Sequence, residues 1–388
     1  MSRTIIINIG CLISGSLTRP LLGADALLIE DGLIAQVGSH RELANTKCAR
    51  VLDAHGTTVS PGLIDSHVHP TTGEYNARLQ INNWITASLH GGVTSMVSAG
   101  EVHFPGRPLD AAGAKALAIV ASKSYRNLRP GGVKVQAGSV LLAPGLTEED
   151  FAEMAREGVR GVGEVGQGLV QSPEEAGRMV RWAQKHGMVA TIHSGGPSVP
   201  GSGHMDAEAI MAIRPDVAGH INGGTTSLPL AEVERLVRET DLAMELVWIG
   251  NPRVAVETVR LLKEAGQLDR LIVATDSPGG AGFSPTGLLQ ALRFLSSMAD
   301  IAPEQAIALA TGNPARIYKL DCGLIDAGKP ADLVMMDAPL GSAAHTALDA
   351  MKLGDVPGVG MVVIDGEIVV PTSIYAPSPV RQWSWVRQ

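Results

Sequence analysis

Cysteine is scarce in this chain of 388 residues: only Cys11, Cys48 and Cys322, odd in number and far apart. That excludes a disulfide framework and a zinc site built on paired thiolates. Positive charge is in deficit, 31 Lys and Arg against 39 Asp and Glu, for a net charge of −8. A broad nucleic-acid or anionic-membrane surface needs the opposite balance. No apolar run reaches the ~18 residues of a spanning helix. The opening MSRTIIINIG has an early Arg but no long apolar segment and no small-residue cleavage site, so it does not read as a secretory signal. The expectation is a soluble protein of a reducing cytoplasm, with neither nucleic acid nor membrane as partner.

What is present is material for a large core. Hydrophobic residues make up 45% and charged residues 18%, too apolar for a disordered chain. At about 150 residues per domain the length allows two to three domains, or one large barrel with a satellite. Glycine is abundant, 45 of 388 residues. A fold with many strand-to-helix turns would use it.

Both ends of the chain read as β-structure. Residues 4–8, 26–30, 33–37, 50–53 and 57–59 are short β-rich runs, and Glu30-Asp31-Gly32 is a hairpin signal. Residues 331–337, 360–364 and 367–370 continue the pattern around Asp365-Gly366. These pieces predict a small composite β-sandwich domain from residues 1–60 plus 321–388. Between them strands alternate with helices. The strand candidates are 63–69, 93–98, 133–142, 162–165, 189–193, 218–222, 243–248 and 271–276. Helix starts are marked at Ser172-Pro173-Glu174-Glu175 and Thr147-Glu148-Glu149-Asp150, with Gly187 and Gly158 as stops. Residues 302–319 read as one helix, or two broken near Gly312-Asn313-Pro314. Eight strands with helices over residues 61–320 predict an α/β fold of the TIM-like (β/α)8 barrel type.

Of the 11 histidines, His40, His55, His90, His186 and His345 fall in loops or at element ends and need no special role. His67 and His69 differ. Two apart on a predicted strand, they point to one face, a chelate in the making. Glu164, His193, His220 and Asp276 each lie at or near the C-terminal end of an apolar strand. The intervals from His69 onward are 95, 29, 27 and 56 residues, close to three, one, one and two βα units. The six residues therefore converge at the top of strands 1, 4, 5, 6 and 8, the face that carries active sites in this fold. Four imidazoles and two carboxylates suit zinc or ferrous iron rather than magnesium or calcium. A carboxylate bridging two such ions would ease their repulsion. A water between them would lose a proton near neutral pH and become the nucleophile. Asp276 could take that proton and pass it to a leaving nitrogen. Asp65 shares the face of His67 and is expected beneath the ligands as their orienting partner.

At these residues the sequence resembles the amidohydrolase superfamily. PGLIDSHVHP at 61–70 is similar to its first-strand signature. ATGNPARIYKL at 310–320 and GLIDAGKPADLVMMD at 323–337 are similar to its return into the β domain. Many members carry a carboxylated lysine on strand 4, where this chain has Glu164; Lys134 lies on strand 3 and fits poorly by register. HFPGRPLDAAGAKALA (103–118), LTEEDFAEMAREGV (146–159), GEVGQG (163–168) and HINGG (220–224) resemble the enamidase branch, hydrolases of a cyclic amide with a zinc and iron pair. That resemblance implies opening of a tetrahydro-6-oxonicotinate ring to 2-formylglutarate and ammonia, in nicotinate degradation. It implies His67, His69 and Asp276 on one ion, His193 and His220 on the other, Glu164 bridging, and a homotetramer.

Substrate contacts are expected from loops that follow the strands: Tyr75, His103, Arg107, Asn222, Gly223 and Trp248, with an Arg suited to a carboxylated substrate. Ser194-Gly195-Gly196 is a similar turn, and His204 sits in a Gly-rich stretch that is either a lid or simply exposed. Trp383 and Trp385 read as packing or a subunit contact. Other readings stay open: a dihydropyrimidinase-, dihydroorotase- or hydantoinase-like enzyme, or a heterocycle deaminase with one metal. The last would carry a Glu soon after the sixth strand, where His220 is instead followed by Ile221-Asn222-Gly223-Gly224. A metal-free scaffold would be expected to lose ligands, and all six are present.

Overall fold

The computed structural model describes residues 3–43, 46, 50–71, 83–101, 106–198, 202–248, 250–279 and 282–387. The chain begins with strands β1 (Arg3–Ile7), β2 (Cys11–Ile13), β3 (Leu21–Leu22), β4 (Ala26–Glu30), β5 (Leu33–Gly38), β6 (Arg50–Asp53) and β7 (Thr58–Pro61). Eight strands alternating with helices follow: β8 (Leu63–Val68), β9 (Val93–Ser98), β10 (Lys134–Gln136), β11 (Gly161–Val165), β12 (Val189–His193), β13 (Val217–Gly219), β14 (Ala243–Val247) and β15 (Leu271–Ala274). The chain ends with β16 (Leu333–Asp337), β17 (Gly358–Ile364), β18 (Glu367–Val370) and β19 (Ser384–Arg387).

The terminal strands form two sheets, ordered β19-β6-β1-β4-β5 and β18-β17-β16-β7-β2-β3. Ile6, Leu27, Ile29 and Leu52 of the first meet Leu12, Val59, Leu333, Met335, Met361 and Val363 of the second. Strand alternation explains the run of isoleucines in β1. Ile6 faces this shared core, while Ile5 and Ile7 pack outward with Ala26, Leu28 and Leu43. β7 runs on through Gly62 into β8, so the sandwich fixes where the first barrel strand starts. A Cβ at Gly62 would lie 2.1 Å from the Thr94 side chain, which leaves room for glycine alone.

The tail is tied down by one buried charge. Asp337, fully buried at the end of β16, accepts from the Arg381 backbone N–H and Nε at 2.8 Å and from its Nη2 at 2.5 Å. Arg381→Ala strands this carboxylate in the interior. It is expected to lower the urea midpoint at a cost of about 3 kcal/mol. Adding Asp337→Asn should recover part of the loss; no recovery would mean that the arginine acts through packing.

The middle strands are parallel and buried on both faces, which is why they read as continuous apolar runs. They hydrogen-bond in two groups, β10-β9-β8 and β11 through β15 in sequence order. Single parallel bridges join the groups at both seams, Val140 to Val162 and Val68 to Ser277. The Asp276 N–H donates to the His67 carbonyl at 3.0 Å, and the His69 N–H to the Ser277 carbonyl at 2.9 Å. The result is the expected eight-stranded barrel. Val97, Val189, Val217, Ala243 and Ile272 plug one end with Tyr318, whose hydroxyl meets Thr191 Oγ1 at 3.0 Å. Chemistry is left to the opposite, C-terminal end.

Helix ends follow their sequence signals. Thr147 and Asp150 form the capping box of helix Glu148–Glu157, and Ser172 caps Pro173–Lys185. The stretch 302–319 is two helices, Pro303–Ala308 and Gly312–Ile317. The third barrel strand is shorter than its apolar run. Gly138, at φ +88°, turns the chain where a Cβ would lie 2.2 Å from the Ala118 carbonyl oxygen. Among the described residues no helix is long and apolar enough to cross a membrane.

Candidate metal centre

The barrel brings the six singled-out side chains to one place. His67 is the fifth residue of β8 and His69 follows its end; Glu164 is the fourth residue of β11; His193 ends β12. His220 and Asp276 lie just beyond β13 and β15 at φ +31° and +58°. Few non-glycine residues adopt that region, and it turns both side chains back over the barrel mouth. The strands supply direction by alternation, and these two left-handed residues supply it by bending.

Glu164 lies at the middle. Its Oε1 is 2.6 Å from His220 Nε2, 3.4 Å from His67 Nε2 and 3.7 Å from His193 Nδ1; its Oε2 is 3.9 Å from His69 Nε2. Asp276 Oδ1 is 3.1 Å from His69 Nε2 and 3.6 Å from His67 Nε2. Five of the six are all but inaccessible, whereas the Asp276 side chain is 23% exposed. Asp276 is therefore the member that faces the mouth.

The outer nitrogen of three rings is already committed. His69 Nδ1 faces the Gly100 carbonyl at 3.0 Å, His193 Nε2 the Gly196 carbonyl at 2.8 Å, and His67 Nδ1 the Glu245 carboxylate at 2.5 Å. Those oxygens only accept, so these nitrogens carry the protons. The inner nitrogens His193 Nδ1 and His67 Nε2 are then bare lone pairs in the neutral rings, pointing at carboxylate oxygens that are also electron-rich. His67 Nε2 and His193 Nδ1 are buried without a hydrogen-bond partner. Lone pairs facing lone pairs call for positive charge between them, which is what a cation supplies.

Electrostatics says the same. Burial works against charge on every one of these groups. Even so, Glu245 and Glu164 hold His67 well above the usual imidazole range, and Glu164 and Asp276 raise His220. The charges of His220 and His67 overcome burial to hold Glu164 well below the ordinary carboxylate range, and His69 does so for Asp276 by hydrogen bonding. Three overlapping trios, His67/His69/Glu164, His67/His220/Asp276 and Glu164/His193/His220, each offer ligand atoms within 4.8 Å of one another. Imidazole and carboxylate donors at this density fit borderline divalent ions.

Glu245 escaped the sequence reading. It is the one charged residue of β14, fully buried, pointing into the barrel beneath the histidines. Asp65, expected beneath His67, is hydrogen-bonded to the His67 backbone and also accepts from the Thr275 N–H at 3.0 Å and its hydroxyl at 2.6 Å. It steadies the residue before Asp276, and burial pushes its carboxyl up to about 6. Lys134 points to the sandwich, pairing with Asp332 and Asp365.

The expected substrate contacts divide. Tyr75 and His103 lie outside the described residues. Asn222 spends both ends of its carboxamide on Val247, donating to its carbonyl at 3.0 Å and accepting from its N–H at 2.8 Å. It fastens the sixth-strand turn to β14. Gly223 sits against His220, where a Cβ would lie 2.9 Å from Nδ1. Arg107 Nη2 donates to the Gln167 carbonyl at 2.6 Å, joining two loops of the rim. Trp248 follows β14 at the mouth, its indole N–H held by Gln290 Oε1 at 3.0 Å. His204 is exposed. Trp383 donates to the Gly360 and Pro371 carbonyls and packs edge-on against Trp385, far from the centre in role.

The chain is similar over almost its whole length to known proteins. It is 51% identical over 381 residues to enamidase of Eubacterium barkeri, covering 98% of this chain and 99% of that one. The crystal structure of an enamidase, described as a member of the amidohydrolase superfamily, superposes with a TM-score of 0.95 at 50% identity, covering 99% and 100%. A dihydroorotase of Pelotomaculum thermopropionicum is 26% identical, with 90% of this chain and 93% of that one covered. The Amidohydrolase family profile matches residues 58–369. The barrel, the ring of imidazoles and acids at its mouth and these similarities place the chain in the amidohydrolase family.

Proposed function

We propose that this protein hydrolyses the C–N bond of a cyclic amide, with a tetrahydro-6-oxonicotinate-type lactam as substrate. The products would be 2-formylglutarate and ammonia. The observation that carries the proposal is Glu164 lying between two sets of imidazoles, His67 with His69 and His193 with His220. Two divalent ions, Zn2+ or Fe2+, would suit these donors: His67, His69 and Asp276 would hold one, His193 and His220 the other, and Glu164 would serve both. The similarity to enamidase over the full length supports the choice of lactam.

A bound ion pair would polarise a substrate carbonyl and acidify a water. The rest falls to the chain. Asp276, ionised and open to the mouth, takes a proton from the attacking water. It returns the proton to the ring nitrogen as the C–N bond breaks. The enamine so released adds a second water and gives up ammonia to leave the aldehyde. His69 steadies Asp276 through Nε2. Arg107, by charge, and Trp248, by its face, would hold a carboxylated ring. We further propose a division into a composite β unit, 1–60 plus 321–388, and a catalytic barrel, 61–320. We also propose a cytoplasmic homo-oligomer, for which exposed apolar side chains such as Leu340, Leu353 and Ile374 provide surface.

The test is a turnover screen of the metal-loaded protein against tetrahydro-6-oxonicotinate, dihydrouracil, hydantoin and dihydroorotate. Ring opening with ammonia release from the first alone is expected. Preference for any of the others would move the enzyme to a neighbouring cyclic amidohydrolase. Elemental analysis should find two ions per chain; one would favour a deaminase.

A further inference from the structure

Glu245 touches both halves of the centre without being placed to bind an ion. Its Oε1 receives His67 Nδ1–H at 2.5 Å and the backbone N–H of His220 at 3.2 Å; its Oε2 receives the Ser66 hydroxyl at 3.4 Å. The Ile221 N–H donates to its backbone carbonyl at 3.0 Å. Each of these contacts is a donation to Glu245, so its carboxylate serves as an acceptor. It sits one layer below the ligands, on a strand that supplies none of them, and water does not reach it.

We propose that Glu245 is a positioning residue that sets the tautomer of His67 and holds His67 and His220 in register with each other. This rests on the two-ion reading above. An imidazole has one proton and two nitrogens. With Nδ1–H fixed on Glu245, Nε2 is obliged to present its lone pair toward Glu164 and Asp276. Without Glu245, the proton has no reason to prefer the outer nitrogen, and half the ring's usefulness as a ligand is lost. The carboxylate also makes His67 a stronger donor.

The experiment compares wild type and Glu245→Gln, each loaded with Zn2+, for zinc release to a chromogenic chelator. Gln keeps the shape and an acceptor oxygen but not the charge. Wild type should release two zinc ions slowly, and the variant should release at least one about 10–100-fold faster. The metal-free variant should melt closer to metal-free wild type than the zinc-loaded variant does to zinc-loaded wild type. Equal release rates overturn the proposal. So does a metal-free variant that melts as far below wild type as the loaded one does, because that marks a merely structural role. A second measurement needs no variant. In the zinc-loaded wild type, histidine-15N NMR should show His67 protonated at Nδ1 with a strongly downfield proton; an Nε2–H His67 overturns the assignment. Wild type that takes up no zinc would instead sink the metal reading itself, so the two failures are distinguishable.

Discussion

Asp276→Asn should fold, keep most of its metal and lose turnover by about 10²–10⁴-fold, the range that a positioned general acid–base group contributes. The side chain has two duties in the proposed chemistry, and the substitution separates them. Oδ1 lies 3.1 Å from His69 Nε2 and 3.6 Å from His67 Nε2, near enough to share an ion with them. An amide oxygen can occupy that place, though more weakly. What an amide cannot do is accept a proton and return it. The loss should therefore fall on kcat with KM little changed, because the proton moves only in the transition state. Metal content near two ions per chain, with kcat collapsed, is the expected pair of results. A variant that turns over at the wild-type rate refutes the proton role. One that loses both ions and activity together shows that Asp276 matters as a ligand alone.

Much of this centre was legible before any coordinates. The His67-x-His69 spacing is readable because strand alternation admits one outcome. Glu164, His193, His220 and Asp276 are readable because a barrel repeats at roughly 30 residues and its strand ends share one rim. Glu245 was not, although a clue exists: an acid in the middle of Ala243–Val247, a strand apolar at every other position, reads as buried. Alternation shows that it points inward, but only the packing shows that it meets His67, which is 178 residues away. Asn222 misled for the opposite reason. A polar residue after a ligand strand looks available, yet its carboxamide closes a turn on Val247. Asp65 was placed beneath His67, which its contact with the His67 backbone bears out, but it also holds Thr275, across the barrel seam, and no local pattern encodes that seam. Strands β2, β3 and β19 are short or late in the chain and carry too few residues for a period to show.

Stripping the metal should have the largest effect of all, on activity and on stability together. In the metal-free state buried Glu164 and mouth-facing Asp276 remain beside imidazoles whose inner lone pairs face them, and the positive charge available among these six is a proton on a ring. Each ion held at a free concentration about a thousand times its Kd adds about 4 kcal/mol to stability. For a barrel of this size two such ions should raise the thermal midpoint by something on the order of 10 °C. Dialysis against a chelator is therefore expected to abolish turnover and lower the melting point by that amount, and Zn2+ or Fe2+ should restore both. Mg2+ and Ca2+ should restore neither, because imidazole-rich sites do not suit hard cations. If the stripped and reloaded proteins melt at the same temperature, the six side chains satisfy one another unaided. The demand for positive charge inferred from their facing lone pairs would then be met by protons alone.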